Sequence, residues 1–282
     1  MKDIAKEHTS VIDRVLEVLR WFRSTHSAIA ALRERELPLP PLPSSTRWNS
    51  LVDTLTYYNK SWAALNEIAA ALLKPGTPVR ATLELLQVRR ATEDLLEQFT
   101  CLGFALDHAQ KDSSTVATAV ELWLDVVRDF PKKFKTSFEL VQERATFFLQ
   151  NPQCLAANLL HPKFHGDRLS PAQIQAACEF IRGFAPGAQD ALLEYIAKDG
   201  PYASVLFEST VGCSVWWEAG LRLGFDPSLT DCALRLSAIV DSTAGLERHF
   251  SRLRLTYGML RSRLAVEKAG KLAFLYPQLR GV

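Results

Sequence analysis

Residues 242–264 read Ser-Thr-Ala-Gly-Leu-Glu-Arg-His-Phe-Ser-Arg-Leu-Arg-Leu-Thr-Tyr-Gly-Met-Leu-Arg-Ser-Arg-Leu. Leu246, Phe250, Leu253, Tyr257, Leu260 and Leu264 follow one another at steps of 4, 3, 4, 3 and 4. That spacing predicts an amphipathic helix with a heptad-like seam, a surface suited to packing against a partner. Gly258 weakens such a helix by about 1 kcal/mol relative to Ala, so a bend is expected there. From Glu247 to Val282 eight Lys/Arg stand against two acids, which makes this the one clearly basic region.

Toward the N-terminus the helical period recurs. Val11, Val15, Leu16, Leu19 and Phe22 predict a helix over 8–34. Leu37-Pro38-Leu39-Pro40-Pro41-Leu42-Pro43 must then be extended, because prolines forbid helix and restrict their predecessors. Ser45 or Thr46 is placed to cap a helix reaching Leu73, broken by Lys74-Pro75-Gly76-Thr77-Pro78. Leu83, Leu86, Leu95, Leu96 and Phe99 predict a helix over 79–110. Further helices are expected near 114–130, 134–150, 171–184, 187–198 and 229–241. No period-2 stretch stands out, so the expected fold class is all-α.

The bulk composition bounds the function. The chain has 282 residues, of which 48% are hydrophobic, enough for a large core and one or two domains. Its 33 Lys+Arg nearly balance 31 Asp+Glu, so any nucleic-acid contact must come from a local patch. Cys101, Cys154, Cys178, Cys213 and Cys232 include no Cys-x-x-Cys pair, which predicts reduced, buried thiols in an intracellular protein. The N-terminal Met-Lys-Asp-Ile-Ala-Lys-Glu lacks the apolar core of a signal peptide. The apolar runs fall well short of the ~20 residues a membrane span needs. Phosphate-cradling glycine loops, Gly-x-Ser-x-Gly and His-Glu-x-x-His are all missing from the sequence.

The segment Ser242-Thr-Ala-x-x-Glu247-Arg-x-Phe250-Ser, followed by Arg261-x-Arg263-Leu264, resembles the C-terminal dimerisation segment of hAT-type transposases. Thr46-Arg47-Trp48-Asn49-Ser50 resembles a second signature of that family, in the right order. The resemblance implies that Glu247 corresponds to the last of three metal-binding acids. In such enzymes acids from separate elements hold two divalent metals about 3.5–4 Å apart, one activating the nucleophile and one stabilising the leaving oxygen. A lone Glu cannot do this, and on its own Glu247 reads as a solvated helix residue. The other two acids are expected before Thr46, where the only aspartates are Asp3 and Asp13, both in charged helical surroundings. The chain is therefore expected to begin too late to include them, and to lack the strands of the RNase H-like sheet.

Two readings of Trp48 stand. In the family this Trp lies near the active site and can stack on a flipped base, which contributes about 1–3 kcal/mol. The other reading is a core Trp at a helix start, with Arg47 in a surface ion pair. Likewise Arg248, Arg252, Arg254, Arg261 and Arg263 can contact phosphates or simply form a solvated face. His161-Pro-Lys-Phe-His165 resembles a family segment in which Asp stands where His161 is. With Cys154 nearby it still lacks the paired ligands of a structural zinc site, and it reads as a loop of polar histidines. Trp216-Trp217 matches a paired Trp of the family and reads as packing.

The resemblance thus implies a helical insertion domain over 1–235 and a C-terminal dimerisation region over 236–282. The expected activity is homodimerisation through Leu246, Phe250, Leu253, Tyr257, Leu260 and Leu264, with a DNA contact through Arg47, Trp48, Arg248, Arg252, Arg261 and Arg263. Expected, too, are a nuclear location, no small-molecule substrate and no cofactor in this chain, since Mg²⁺ or Mn²⁺ would be held only in a complete transposase. Two alternatives remain open: one part of an active strand-transfer enzyme whose other acids lie elsewhere, and a helical interaction module without DNA binding.

Overall fold

A computed structural model describes residues 1–44, 49–111, 113–203, 212–243, 247 and 250. Among these residues every regular element is helical and no sheet strand occurs. The chain is all-α, as its periodicity predicts. It forms two compact units: Met1–Leu106 with Asp125–Arg144, and Asp107–Leu124 with Ala145–Val282.

The first unit contains α1 (Lys2–Glu7), α2 (Thr9–Ser24), α3 (His26–Glu34), α4 (Asn49–Leu72), α5 (Pro78–Glu84) and most of α6 (Leu86–Ala109). The stripe of α2 buries Ile12, Val15, Leu16, Val18, Leu19 and Phe22 against α4 and α5. Leu55, Tyr58, Leu65 and Ile68 of α4 and Leu95 and Phe99 of α6 complete this core.

Two expected helices are divided. Thr25 is extended (φ −97°, ψ 119°) and separates α2 from α3. Leu85 (φ −79°, ψ 96°) separates α5 from α6. At the second break the Trp62 indole N–H, from α4, donates to the Leu83 carbonyl at 3.1 Å, one of the carbonyls that a helix end leaves without a partner. That donor comes from a tertiary neighbour, so periodicity alone reads through the break. At the end of α4, Arg80 Nη1 donates to the carbonyls of Leu73 and Ala70, at 3.0 and 3.2 Å.

The second unit holds α9 (Pro152–Leu159), α10 (Pro171–Phe184), α11 (Gln189–Ala197), α12 (Cys213–Gly220) and α13 (Pro227–Ser237); α7 (Val116–Asp129) and α8 (Lys135–Leu149) contribute to both units. Helix α9 is central: Cys154 through Leu159 are all buried, and it packs on α10 and α13. Six consecutive buried positions leave no polar face, so α9 has no amphipathic period and the sequence reading missed it. Its start was nonetheless marked. Asn151 accepts the Gln153 N–H at 3.0 Å and Pro152 follows at the first helical position. The same cap-then-proline device opens α10, where Ser170 and Gln173 form a capping box, and α13, where Asp226 accepts the Leu229 N–H at 2.8 Å.

Rings from three elements fill the rest of this core. Trp217 and Tyr195 are tilted at 5.2 Å, Tyr202 and Phe225 lie at 4.5 Å, and Trp216 meets Trp217 edge-on at 5.1 Å. The paired tryptophans are packing residues, and the Trp217 indole donates to the Leu160 carbonyl at 2.9 Å. Free thiols are found at all five cysteines; Cys154 and Cys232 are buried, whereas Cys101, Cys178 and Cys213 are half-buried. Among the described residues no helix is long and apolar enough to cross a membrane.

Candidate functional site

The candidate site is the start of the segment 242–264. Helix α13 ends at Ser237, four residues before the expected end, because the chain leaves it to dock on residues 109–116. The Val116 N–H donates to the Ile239 carbonyl at 3.0 Å. Thr115 and Val240 form an isolated antiparallel bridge. Ser114 Oγ donates to Asp241 Oδ2 at 2.7 Å, and Ser242 Oγ donates to the Ala109 carbonyl at 2.9 Å. Four successive residues are thus strapped to the start of α7 and its approach. Burial raises the Asp241 pKa above the ordinary carboxylate value, with the Ser114 hydroxyl pulling the other way.

Beyond the strap the backbone is helical at Glu247 and Phe250. The Glu247 N–H donates to the Thr243 carbonyl at 2.9 Å, with the four-residue spacing of a helical hydrogen bond, and Thr243 Oγ1 donates to Glu247 Oε1 at 3.3 Å. Glu247 and Phe250 are both helical and three apart, which places them on one face. The Glu247 side is exposed, and Phe250 is 64% exposed. The remaining seam residues Leu246, Leu253, Tyr257, Leu260 and Leu264 lie outside the described residues, as do Arg248, Arg252, Arg254, Arg261 and Arg263.

The Thr46-Arg47-Trp48 part of the upstream motif also lies outside them. Its last two residues, Asn49 and Ser50, are the first of α4 in the first unit. Ser50 Oγ accepts the Ser44 N–H at 2.8 Å, tying the end of the proline stretch to the first turn of that helix.

A two-metal site requires several carboxylates converging on a small space. Among the described residues no group of three His, Cys, Asp or Glu is placed to hold a metal ion. The Glu247 carboxylate accepts a hydrogen bond from the Thr243 hydroxyl.

The histidine loop departs from its sequence reading. His165 is buried, has φ of 50°, and its Nε2 meets the Tyr195 carbonyl at 3.0 Å. His161 stacks on Phe164 at 4.3 Å, and its Nδ1 accepts the Lys163 N–H at 3.2 Å. Burial, with the Lys163 ammonium adding to it, holds the His161 pKa down to about 4. Burial also lowers that of His165. These are structural histidines closing a tight loop onto the aromatic core, and nothing in their local sequence announces it. Elsewhere, a surface depression of about 350 Å³ lies between Phe184–Gly187 and Pro227–Asp231. Its one carboxylate, Asp231, is paired with Arg235 at 2.9 Å.

Sequence reasoning missed Ser114 and Asp241, which are 127 positions apart. The sequence matches no protein-family model and no curated protein.

Proposed function

We propose that this chain is a transposase-derived assembly protein that self-associates through the seam formed by Leu246, Phe250, Leu253, Tyr257, Leu260 and Leu264. The observation that carries this reading is the strap at residues 239–242, which ends where the heptad-like seam begins. A seam that is to meet a partner gains from a fixed starting point, because a pre-set helix origin lowers the ordering cost of association. The exposure of Phe250, the second residue of the seam, supports the same reading. The residues matching the transposase signatures, Ser242 to Phe250 and Asn49-Ser50, supply the ancestry. Under this reading Glu247 descends from the third acid of a metal-binding set. The C-terminal arginines Arg248, Arg252, Arg261 and Arg263 then give a DNA contact, with Arg47 and Trp48 as separate candidates, in a nuclear setting.

Light scattering after size exclusion tests the assembly. The wild type should elute as a dimer at micromolar concentration, and Phe250→Asp and Leu253→Asp should each return it to monomer. A wild-type monomer, or a dimer that ignores both substitutions, overturns the proposal. The DNA contact is tested separately by titrating duplex DNA at increasing salt. Affinity should fall steeply between 50 and 200 mM, because each neutralised phosphate releases counterions. Salt-independent or absent binding removes DNA from the reading and leaves a helical interaction module.

A further inference from the structure

The proline stretch 37–43 is held against the first unit by its own backbone. Arg23 Nη1 donates to the Pro40 carbonyl at 2.7 Å, and the Tyr57 hydroxyl donates to the Pro38 carbonyl at 2.7 Å. Pro38, Pro40, Pro41 and Pro43 hold φ near −65° and push their predecessors to the extended region. The stretch therefore takes the three-residue period of a polyproline II helix.

A period of three sorts these residues onto three edges. Leu37, Pro40 and Pro43 share the inner edge, where Pro40 is buried and its two companions are half-buried. Leu39 and Leu42 share an outer edge and are 45% and 37% exposed. The third edge carries Pro38, which is exposed, and Pro41, which is half-buried. The outward side therefore repeats one dipeptide, Pro38-Leu39 and Pro41-Leu42, at the polyproline period. Two leucines are held toward solvent on a backbone already ordered for recognition.

We propose that residues 38–42 form a docking ridge for a polyproline-reading domain of the WW type. Such a domain offers an aromatic-lined groove, and each slot between its rings would take one Pro-Leu pair. The ridge is pre-ordered, so little conformational entropy is lost on binding. The geometry also selects among polyproline readers. Arg35 stands three residues before Pro38, where a basic side chain can serve the acidic pocket that an SH3 domain sets beside its groove. Glu36, however, has φ of 55°, which turns the chain between Arg35 and Leu37. Arg35 instead meets Glu67 at 3.5 Å. The basic anchor is out of line with the ridge, so recognition rests on the apolar pairs alone, and a groove without an acidic pocket fits best.

The test uses the intact chain as analyte over an immobilised WW domain that binds proline- and leucine-rich peptides, with an SH3 domain on a parallel surface. The wild type should bind the WW domain saturably, and Leu39→Ser/Leu42→Ser should weaken binding by about tenfold or more. Both leucines are exposed, so circular dichroism and the melting temperature of that variant should match the wild type. Arg35→Ala should leave binding unchanged. Failure of the folded chain to bind, equal binding by the double-serine variant, or a preference for the SH3 domain that Arg35→Ala abolishes would each overturn the proposal.

Discussion

Ser114 Oγ stands 2.7 Å from Asp241 Oδ2, and this hydrogen bond joins residues 127 positions apart just ahead of the segment 242–264. It holds the chain leaving α13 on the approach to α7, together with the Thr115–Val240 bridge. The acceptor is a carboxylate whose pKa is raised by burial. A raised folded-state value means that the stability this group contributes is complete below its unfolded pKa and is lost as pH rises through the folded one. At neutral pH the hydrogen bond therefore works against the cost of a half-buried charge.

Asp241→Asn keeps an acceptor for Ser114 and removes the charge. Stability at pH 7 should be unchanged or slightly higher, whereas Asp241→Ala should lose about 1–2 kcal/mol. Urea denaturation of the two variants beside the wild type checks this. A loss in Asp241→Asn as large as in Asp241→Ala would show that the charge itself is needed.

Trp217 anchors the second core. Its indole is fully buried and donates to the Leu160 carbonyl at 2.9 Å. Trp217→Phe should cost about 1–3 kcal/mol by leaving that carbonyl without its donor, and Trp217→Ala about 3–5 kcal/mol by adding a cavity. Chemical denaturation should rank the three proteins in that order.

Gly220 ends α12 against the Phe225 ring. A Cβ at this position would overlap the ring atoms directly. Gly220→Ala is a favourable change by helix propensity, yet it should destabilise by about 1–3 kcal/mol or more because the aromatic cluster must move. A melting temperature equal to or above the wild type would contradict this packing.

The histidine loop predicts an acid response. The folded pKa of His161 is depressed to about 4, and that of His165 is lowered as well. A depressed value contributes stability that is present above the unfolded pKa and lost as pH falls toward the folded one. Stability should thus decline between about pH 6.5 and 4, with the His161 share on the order of 2 kcal/mol after allowance for its partial exposure. In His161→Gln the decline over that window should be shallower, as read from melting temperatures at a series of pH values. An identical slope would remove His161 from the acid response.

Thiol chemistry gives a further check. Burial pushes Cys213 and Cys232 up to about 11, with the Ser237 hydroxyl opposing it at Cys213, and the Asp231 carboxylate adding to it and Arg235 opposing it at Cys232. Neither should react with iodoacetamide at pH 8 in the native state, and both should react after unfolding in urea, as mass spectrometry of labelled peptides would show. Rapid native labelling at either residue would mean that the core opens there.

Local patterns made much of the fold readable. The α2 stripe from Val11 to Phe22, the proline block after Leu37 and the Ser170-Pro171 start of α10 each carry their signal within a few neighbouring residues. Helix α9 escaped because burial on every side erases the period, although Asn151-Pro152 marked its beginning. Of the candidate site, the helical conformation at Glu247 and Phe250 was legible. The strap that precedes them was not.

By itself the sequence determined that the described residues fold into helices, and the points where prolines and caps stop and start them. Each of these rests on interactions within one or two helical turns, which a linear pattern records. Only the tertiary structure decided that Ser114 meets Asp241, that Trp217 reaches the Leu160 carbonyl, that Trp62 reaches the Leu83 carbonyl, and that the histidine at 165 is buried. Those outcomes depend on donors and acceptors brought together from distant parts of the chain, where burial makes an unmet polar group costly. No local propensity encodes which distant partner will meet it.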